Sequence, residues 1–351
     1  MKWLLAFVPV AILIHYVVPD RHLLVFAASG LAIVPLAGWM GRATEHLAER
    51  FGEGIGGLLN ATFGNAAELI IAVAALRAGL HDVVKASLAG SIIGNVLLVL
   101  GASMLAGGIG RPEQHYNAAG SRSQATMLTL AVIAFIVPAA LRATSGVAAG
   151  SVGVLSVLVS VTLLVTYALN LVFSLGTHRA LFAGEEHRPA EPHEGGWSVK
   201  RAALVLAGAT AGVAWMSEIL VGAIDPAAKE LGLNDVFVGV FVVAILSCAA
   251  ELFAAVTAAR KDRMSLSLSI AMGASVQVAL FVGPLLVLLS YGMGPRPMDL
   301  AFSGGLVLSI LLSALITGQV SADGRSDWLR GVQLLVVYVM LGLAFFFAPG
   351  R

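Results

Sequence analysis

The sequence predicts an all-α integral membrane protein of about eleven transmembrane helices, arranged as one leading helix plus two inverted five-helix repeats. Composition, a succession of apolar runs and an internal self-similarity carry that prediction. Of 351 residues 58% are hydrophobic and only 12% charged, about half the charge density of a soluble domain. The 39 glycines with 7% aromatics suit helices that pack closely or are interrupted inside a bilayer.

The apolar runs follow in order. Residues 3–19, behind Lys2, are short enough for a signal peptide, but no small-residue cleavage pattern follows Val18, so an uncleaved leading helix over 1–20 is expected. Runs at 22–40, 55–78, 83–109, 124–141 and 147–175 make the first repeat, 21–182. Ala183 to Gly196, AGEEHRPAEPHEGG, holds acids and prolines that neither insert nor pack, and reads as an acidic cytoplasmic linker. Runs at 199–222, 236–259, 266–292, 298–317 and 328–348 make the second repeat, 197–351. Alternating the loops puts 14 of the 21 Lys and Arg on one face, which that excess marks as cytoplasmic. The N-terminus is then inside and the C-terminus outside.

The self-similarity pairs Ala66-Ala67-Glu68-Leu69 with Ala249-Ala250-Glu251-Leu252 in the second half of the chain. In the next helix Asn95 to Gly101 lies against Gln277 to Gly283 at almost the same separation, an amide opening and a glycine closing each heptapeptide. Thr44-Glu45-His46-Leu47 matches Ser217-Glu218-Ile219-Leu220 more weakly. Five spans separate Glu68 from Glu251, so the helices bearing them run in opposite directions and the repeats are inverted. Substrate sites of such folds lie near the midplane at the repeat interface.

A carboxylate at the bilayer centre costs at least a few kcal/mol, and it persists when protonated, paired or bound to a cation. Every Lys and Arg falls in or near a loop, which leaves protons or metal ions to neutralise Glu68 and Glu251. Two facing carboxylates repel, so protons and a divalent cation compete for the same pair. A hard ion such as Ca²⁺ wants six to eight oxygens. Asn65, Asn95, Gln277, Ser91, Ser247 and Ser275, with Asn60 and Thr62, supply neutral ones nearby. Gly64, Gly94, Gly273 and Gly283-Pro284 are placed to break helices and free carbonyls. Each feature has a plainer alternative: a protonated, hydrogen-bonded acid for the glutamates, interhelical bonding for the amides, back-bonding for the serines and packing for the glycines.

Several classes are excluded. A net charge of +1 gives no nucleic-acid footprint. The single cysteine, Cys248, excludes internal disulfides and thiolate zinc sites, and neither H-E-x-x-H nor an intact G-x-S-x-G occurs. Linker residues His187 and His193 could sense pH or simply be solvated.

The stretch Gly56 to Ile70, GGLLNATFGNAAELI, resembles the first signature of the Ca²⁺/H⁺ antiporters, the cation/proton exchanger family of the cation/Ca²⁺ exchanger superfamily. The likeness extends through Gly90-Ser91-Ile-Ile-Gly94-Asn95, Ser217-Glu218-Ile-Leu-Val-Gly and Ala274-Ser275-Val-Gln277, covering residues 30 to 290. It implies that Glu68 and Glu251 alternately hold Ca²⁺ and protons while alternating access exposes them to either face, exporting Ca²⁺ across a prokaryotic cytoplasmic membrane. The partners it implies are Ca²⁺, protons and the bilayer, with a homo-oligomer left open and no cofactor. The family's second signature carries Gly-Asn before the paired alanines and His after the glutamate, where this chain has Ser247-Cys248 and Leu252. Ser247 can replace the missing amide oxygen, and Cys248, three residues before Glu251, is expected to face the ion path and favour softer ions, unless it only fills a helix contact. Glu45 and Glu218, at opposite faces, are candidate mouth acids or solvated helix ends. A Na⁺-coupled exchanger, an antiporter for Mn²⁺ or Zn²⁺ and, more distantly, an intramembrane enzyme are the alternatives.

Overall fold

The structure, a computed structural model, describes residues 2–144, 148–178 and 197–348. The expected linker 183–196, with His187 and His193, lies outside the described residues.

Helices make up nearly all of the described chain. A 3₁₀ turn, Lys2–Ala6, leads into α1 (Phe7–Val17), followed by α2 (His22–Phe63) and α3 (Ala66–Arg77). Next come α4 (His81–Ile93), a π segment (Gly94–Val99) and α5 (Leu100–Gly108). The first half closes with α6 (Ala118–Ala143) and α7 (Ala149–Leu171), the latter extended by a π segment, Val172–Thr177. The second half opens with α8 (Val199–Leu231), a short turn Asp235–Phe237, a π segment Val238–Val243 and α9 (Ala244–Ser247). Then follow α10 (Ala249–Arg260), α11 (Met264–Gln277), a π segment Val278–Val282, α12 (Gly283–Met293), α13 (Gly304–Val320) and α14 (Trp328–Phe346).

Local chemistry sets several of these ends. Asn117 Oδ1, Ser198 Oγ and Asp327 Oδ1 accept from the backbone N–H three residues on, capping α6, α8 and α14. Gly232, at φ +65, ends α8 in the left-handed region a side chain disfavours.

Among the described residues seven helices are long and apolar enough to cross a membrane, or eight if Val238–Ser247 and Ala249–Arg260, bent by 57° at their junction, form one span. Of the eleven runs expected from sequence, 3–19 and 298–317 correspond to the helices Leu4–Val17 and Gly304–Val320, which are too short to count. The run 55–78 is divided, because helical bonding continues through Phe63 and breaks at Gly64–Asn65, leaving α3 only 12 residues. Gly64 sits at a break, as expected, but the other glycines act differently. Gly94 opens a π segment and Gly283 follows one, while Gly273 lies inside unbroken α11. The second copy breaks at Cys248 instead, whose φ −84, ψ 9 is open to any residue.

Loop contacts define two ends of the bundle. At one, Arg296 Nε donates to His81 Nδ1, Lys85 Nζ donates to Asp299 Oδ1 at 2.7 Å and to Ala301 O, and Arg142 pairs with Asp299. At the other, Gln114 Nε2 donates to Ala259 O and Asp262 Oδ1, Arg111 donates to Arg260 O, and the two-residue strand β1 (Gln114–His115) pairs antiparallel with β2 (Arg325–Ser326). Thus α4 and α11 begin at opposite ends. Lys85 is an exception to the reading that every basic residue lies in or near a loop: it is buried in α4, with Asp299 as its counter-ion.

Candidate functional site

Two helix N-termini bring the carboxylates together. Glu68 lies in the first turn of α3 and Glu251 in the first turn of α10, so the positive end of each helix dipole faces its own acid. Asn65 O accepts from Leu69 N at 3.1 Å, and Cys248 O accepts from Leu252 N at 2.9 Å, closing the first turn after each break. Glu68 is buried, Glu251 half-buried, and the two lie within electrostatic reach of each other.

Neutral oxygens surround this pair. Asn65 Nδ2 donates to Gln277 Oε1 at 2.7 Å, joining the two halves of the chain. That bond turns Asn65 Oδ1 away from Gln277, and it has no hydrogen-bond partner. Glu68 Oε1, Glu251 Oε2 and Asn95 Oδ1 are likewise buried without one. A buried polar atom without a partner costs about 1–3 kcal/mol. Four such oxygens in one region mark where a hard cation or protons would be welcomed. Among the described residues no cluster of three or more His, Cys, Asp and Glu forms. When both are ionised, Glu68 and Glu251 together carry the charge that one divalent ion or two protons would balance.

A cavity of about 780 Å³ leads to this region. Glu251, Asn65 and Gln277 form its inner wall, with Gly64, Gly273 and Ala274, and Arg42, Glu45 and Thr257 line it further out. Thr257 is one turn from Arg260, so the cavity runs toward the end of the bundle where Arg111 meets Arg260. Glu45 thus lies in the cavity wall, whereas Glu218 is exposed on α8 outside it.

The other expected residues divide. Ser275 Oγ donates to Ala271 O at 3.1 Å and approaches Ile92 O, and Ser247 Oγ donates to Ala244 O at 3.0 Å, so both hydroxyl protons serve backbone. Ser91 Oγ lies 3.5 Å from Ser247 Oγ, linking the two halves, and neither residue lines the cavity. Asn95 is fully buried in the π segment, and neither of its amide atoms has a partner. Cys248 departs from its expected orientation. It is 0% exposed, absent from the cavity wall, bonded to Ile245 O at 3.8 Å and in van der Waals range of where a Cβ on Gly94 would stand. The rule that residues three apart share a face holds within a helix, and Cys248 is itself the break, with φ −84 and ψ 9, between α9 and α10. The side chains of Asn60 and Ala61 lie outside those described, and Thr62 is exposed.

Sequence reasoning missed a polar wall. Gln124 on α6, Asn170 and Ser174 on α7 and its extension, and Ser269 on α11 all line the cavity. Gln124 Oε1 is buried without a partner. Their signal, isolated amides and hydroxyls in apolar runs, does not differ in sequence from back-bonded ones such as Ser309.

Comparison with known proteins bears on this geometry. The family model described as sodium/calcium exchanger protein matches residues 21–176 and 201–347. A protein of Synechocystis named Ca(2+)/H(+) antiporter is 45% identical, with 99% of this chain and 96% of that protein covered. The Ca(2+)/H(+) antiporter ChaA of Bacillus subtilis is 40% identical over 92% of this chain and 91% of its own length. Among solved structures, the Ca2+/H+ antiporter protein YfkE superposes with a TM-score of 0.84 at 36% identity, covering 98% of both chains.

Proposed function

The chain belongs to the sodium/calcium exchanger protein family, and from that premise we propose that it is a secondary transporter exchanging Ca²⁺ for H⁺ by alternating access. The relatives that support this are named as Ca²⁺/H⁺ antiporters and are covered almost end to end. Glu68 and Glu251 are the groups that hold either one Ca²⁺ or the protons that replace it. The observation that carries this reading is the pair of carboxylates at the two helix breaks, each with a buried oxygen lacking a hydrogen-bond partner. Their charges sum to that of a divalent cation with the sign reversed, and protonation of both releases the ion.

Asn65, Asn95 and Gln277 are the neutral ligands of the reading, and Glu45 attracts cations at the cavity mouth. Bacterial relatives, together with the apolar helices, support a multi-pass protein of the inner membrane. The cavity's end is then cytoplasmic by its excess of Lys and Arg, with the N-terminus inside, and net transport is export. A leading helix and two inverted five-helix repeats remain the arrangement that the recurrence of α3 as α10 supports.

Purified protein in proteoliposomes under an imposed pH gradient tests the assignment. Ca²⁺ uptake coupled to proton release is expected, with Mn²⁺, Zn²⁺, Na⁺ and K⁺ offered in turn to rank the alternatives. Ca²⁺ movement that follows a Na⁺ gradient and ignores the pH gradient would overturn it.

A further inference from the structure

The cavity reaches Glu251 from one end of the bundle, and toward the other end α4 packs tightly against the segment before α9. A Cβ added at Gly90 would collide with the backbone of Val240, and one at Gly239 would meet Ala86 and stand 3.3 Å from Ser87 N and Val83 O. Each segment thus presents a glycine to the other's backbone, and no side chain on either glycine fits between them. Beside this contact, Ser91 Oγ and Ser247 Oγ approach to 3.5 Å.

The residues at the matching positions of the other copy, in the register that pairs Glu68 with Glu251, behave oppositely. Gly273, the counterpart of Gly90, lines the cavity, and a Cβ there would meet only Gln124 Nε2, at 3.8 Å. Ala274 and Gly64, the counterparts of Ser91 and Ser247, also line the cavity. Where one pair of segments is pressed together, the matching pair stands apart.

We propose that Gly90 and Gly239 with the Ser91–Ser247 pair form the seal of the closed end, and that Gly273 is the matching glycine which seals the cavity's end when the protein switches. The inference rests on alternating access and goes beyond it by naming the contacts that open and close. Glycine is required at position 273 for a state other than the present one. The two seals are unequal, because Ser91 and Ser247 can share a hydrogen bond and Ala274 and Gly64 cannot. That difference favours the state with the cavity open beside Glu45.

Two single-cysteine reporters in a Cys248→Ser background test this: Thr257→Cys in the cavity wall, and Ala74→Cys, its counterpart in α3. Each is labelled with a hydrophilic maleimide, with and without Ca²⁺. With Gly90→Ala, labelling at position 74 is expected to rise about tenfold while labelling at 257 falls. With Gly273→Ala, which fits the present structure, 257 stays reactive in every condition and proton-driven Ca²⁺ flux falls about tenfold. Wild-type flux and unchanged labelling in Gly273→Ala would overturn the proposal, since a glycine there for packing alone tolerates alanine. If Gly90→Ala does not fold, Ser247→Ala takes its place, with labelling at 74 raised about threefold, and no rise overturns the Ser91–Ser247 part. A parent protein without proton-driven Ca²⁺ flux would instead refute the antiporter assignment, and the labelling pattern would still report on the two seals.

Discussion

The two helix breaks, at Gly64–Asn65 and at Cys248, are alike in what they release and unlike in what they place beside the two carboxylates. Both release a 12-residue helix that starts Ala-Ala-Glu and ends in Arg. At the first break Asn65 spans the halves to Gln277 and keeps an oxygen unpartnered. At the second, Cys248 turns from the cavity and packs toward Gly94. The lesson is that the charged part of the site is duplicated while the neutral part is one-sided. In the proposed exchange the carboxylates balance the charge of an ion and its replacement protons, so losing either would leave that charge unmatched. A single amide is one ligand among several.

The largest expected effect tests the duplicated part. Glu68→Gln and Glu251→Gln should each lower Ca²⁺/H⁺ exchange by about a hundredfold or more, because one buried charge is left to face a divalent ion. Near-normal flux in either variant would break the equivalence of the two copies.

A second test concerns Lys85, whose counterpart in the second copy is the apolar Leu268 of α11. Burial alone would raise the Asp299 carboxyl, but the hydrogen bond and charge of Lys85, with the charge of Arg142, outweigh it and hold the group below the usual carboxylate range. Its folded pKa is depressed, so its stabilisation is present above the ordinary value of about 3.9 and is lost as pH falls through the folded value. Asp299→Asn should cost about 2 kcal/mol, less than for a fully buried pair because the carboxylate is partly exposed. A lower melting temperature at pH 7, and a weaker loss on acidification below about pH 4 than in wild type, would be the signature.

Smaller still is the one-sided ligand. Asn65→Ala should weaken apparent Ca²⁺ affinity about tenfold, roughly the loss of one hydrogen-bonded ligand, with little change in maximal rate. Cys248→Ala marks the lower end. Flux and the ratio of Ca²⁺ to Mn²⁺ or Zn²⁺ transport should stay within about twofold, the thiol being a packing group in this state. A ratio that moves tenfold would restore Cys248 to the ion path.

Membrane class and the regions of apolar helix were legible in the sequence, because a long unbroken apolar stretch leaves the backbone few choices. The juxtaposition of Glu68 and Glu251 was anticipated by the matched Ala-Ala-Glu segments, since internal recurrence constrains three-dimensional placement. What failed was local. The break before α3 was expected in the charged stretch around 41–54, yet helical bonding runs on to Phe63 and stops at a two-residue turn. The side chain of Cys248 was oriented by a helical rule across a break where the rule lapses. Lys85 looked like a loop residue because its counter-ion, Asp299, lies in the other half of the chain. Gln124 and Asn170 could not be distinguished as cavity residues, because which face of a helix meets a void depends on packing among helices far apart in sequence.

The π segments carry a consequence for how such a chain can change over generations. The first residues of α4 and α11 keep the register that pairs Glu68 with Glu251, but at Asn95 and Gln277, and again at Gly101 and Gly283, the spacing is shorter by one, so one copy has gained or lost a residue in between. In a plain α-helix an indel turns everything beyond it by about 100° and would rotate the downstream face off its neighbours. The first copy's π segment has six residues and the second's five. A wide turn next to that point can take up an odd residue and return the helix to its former face, as a spacer does in a thread. The stretch around Asn95 and Gln277 is therefore a place in these helices where a change of length can be absorbed.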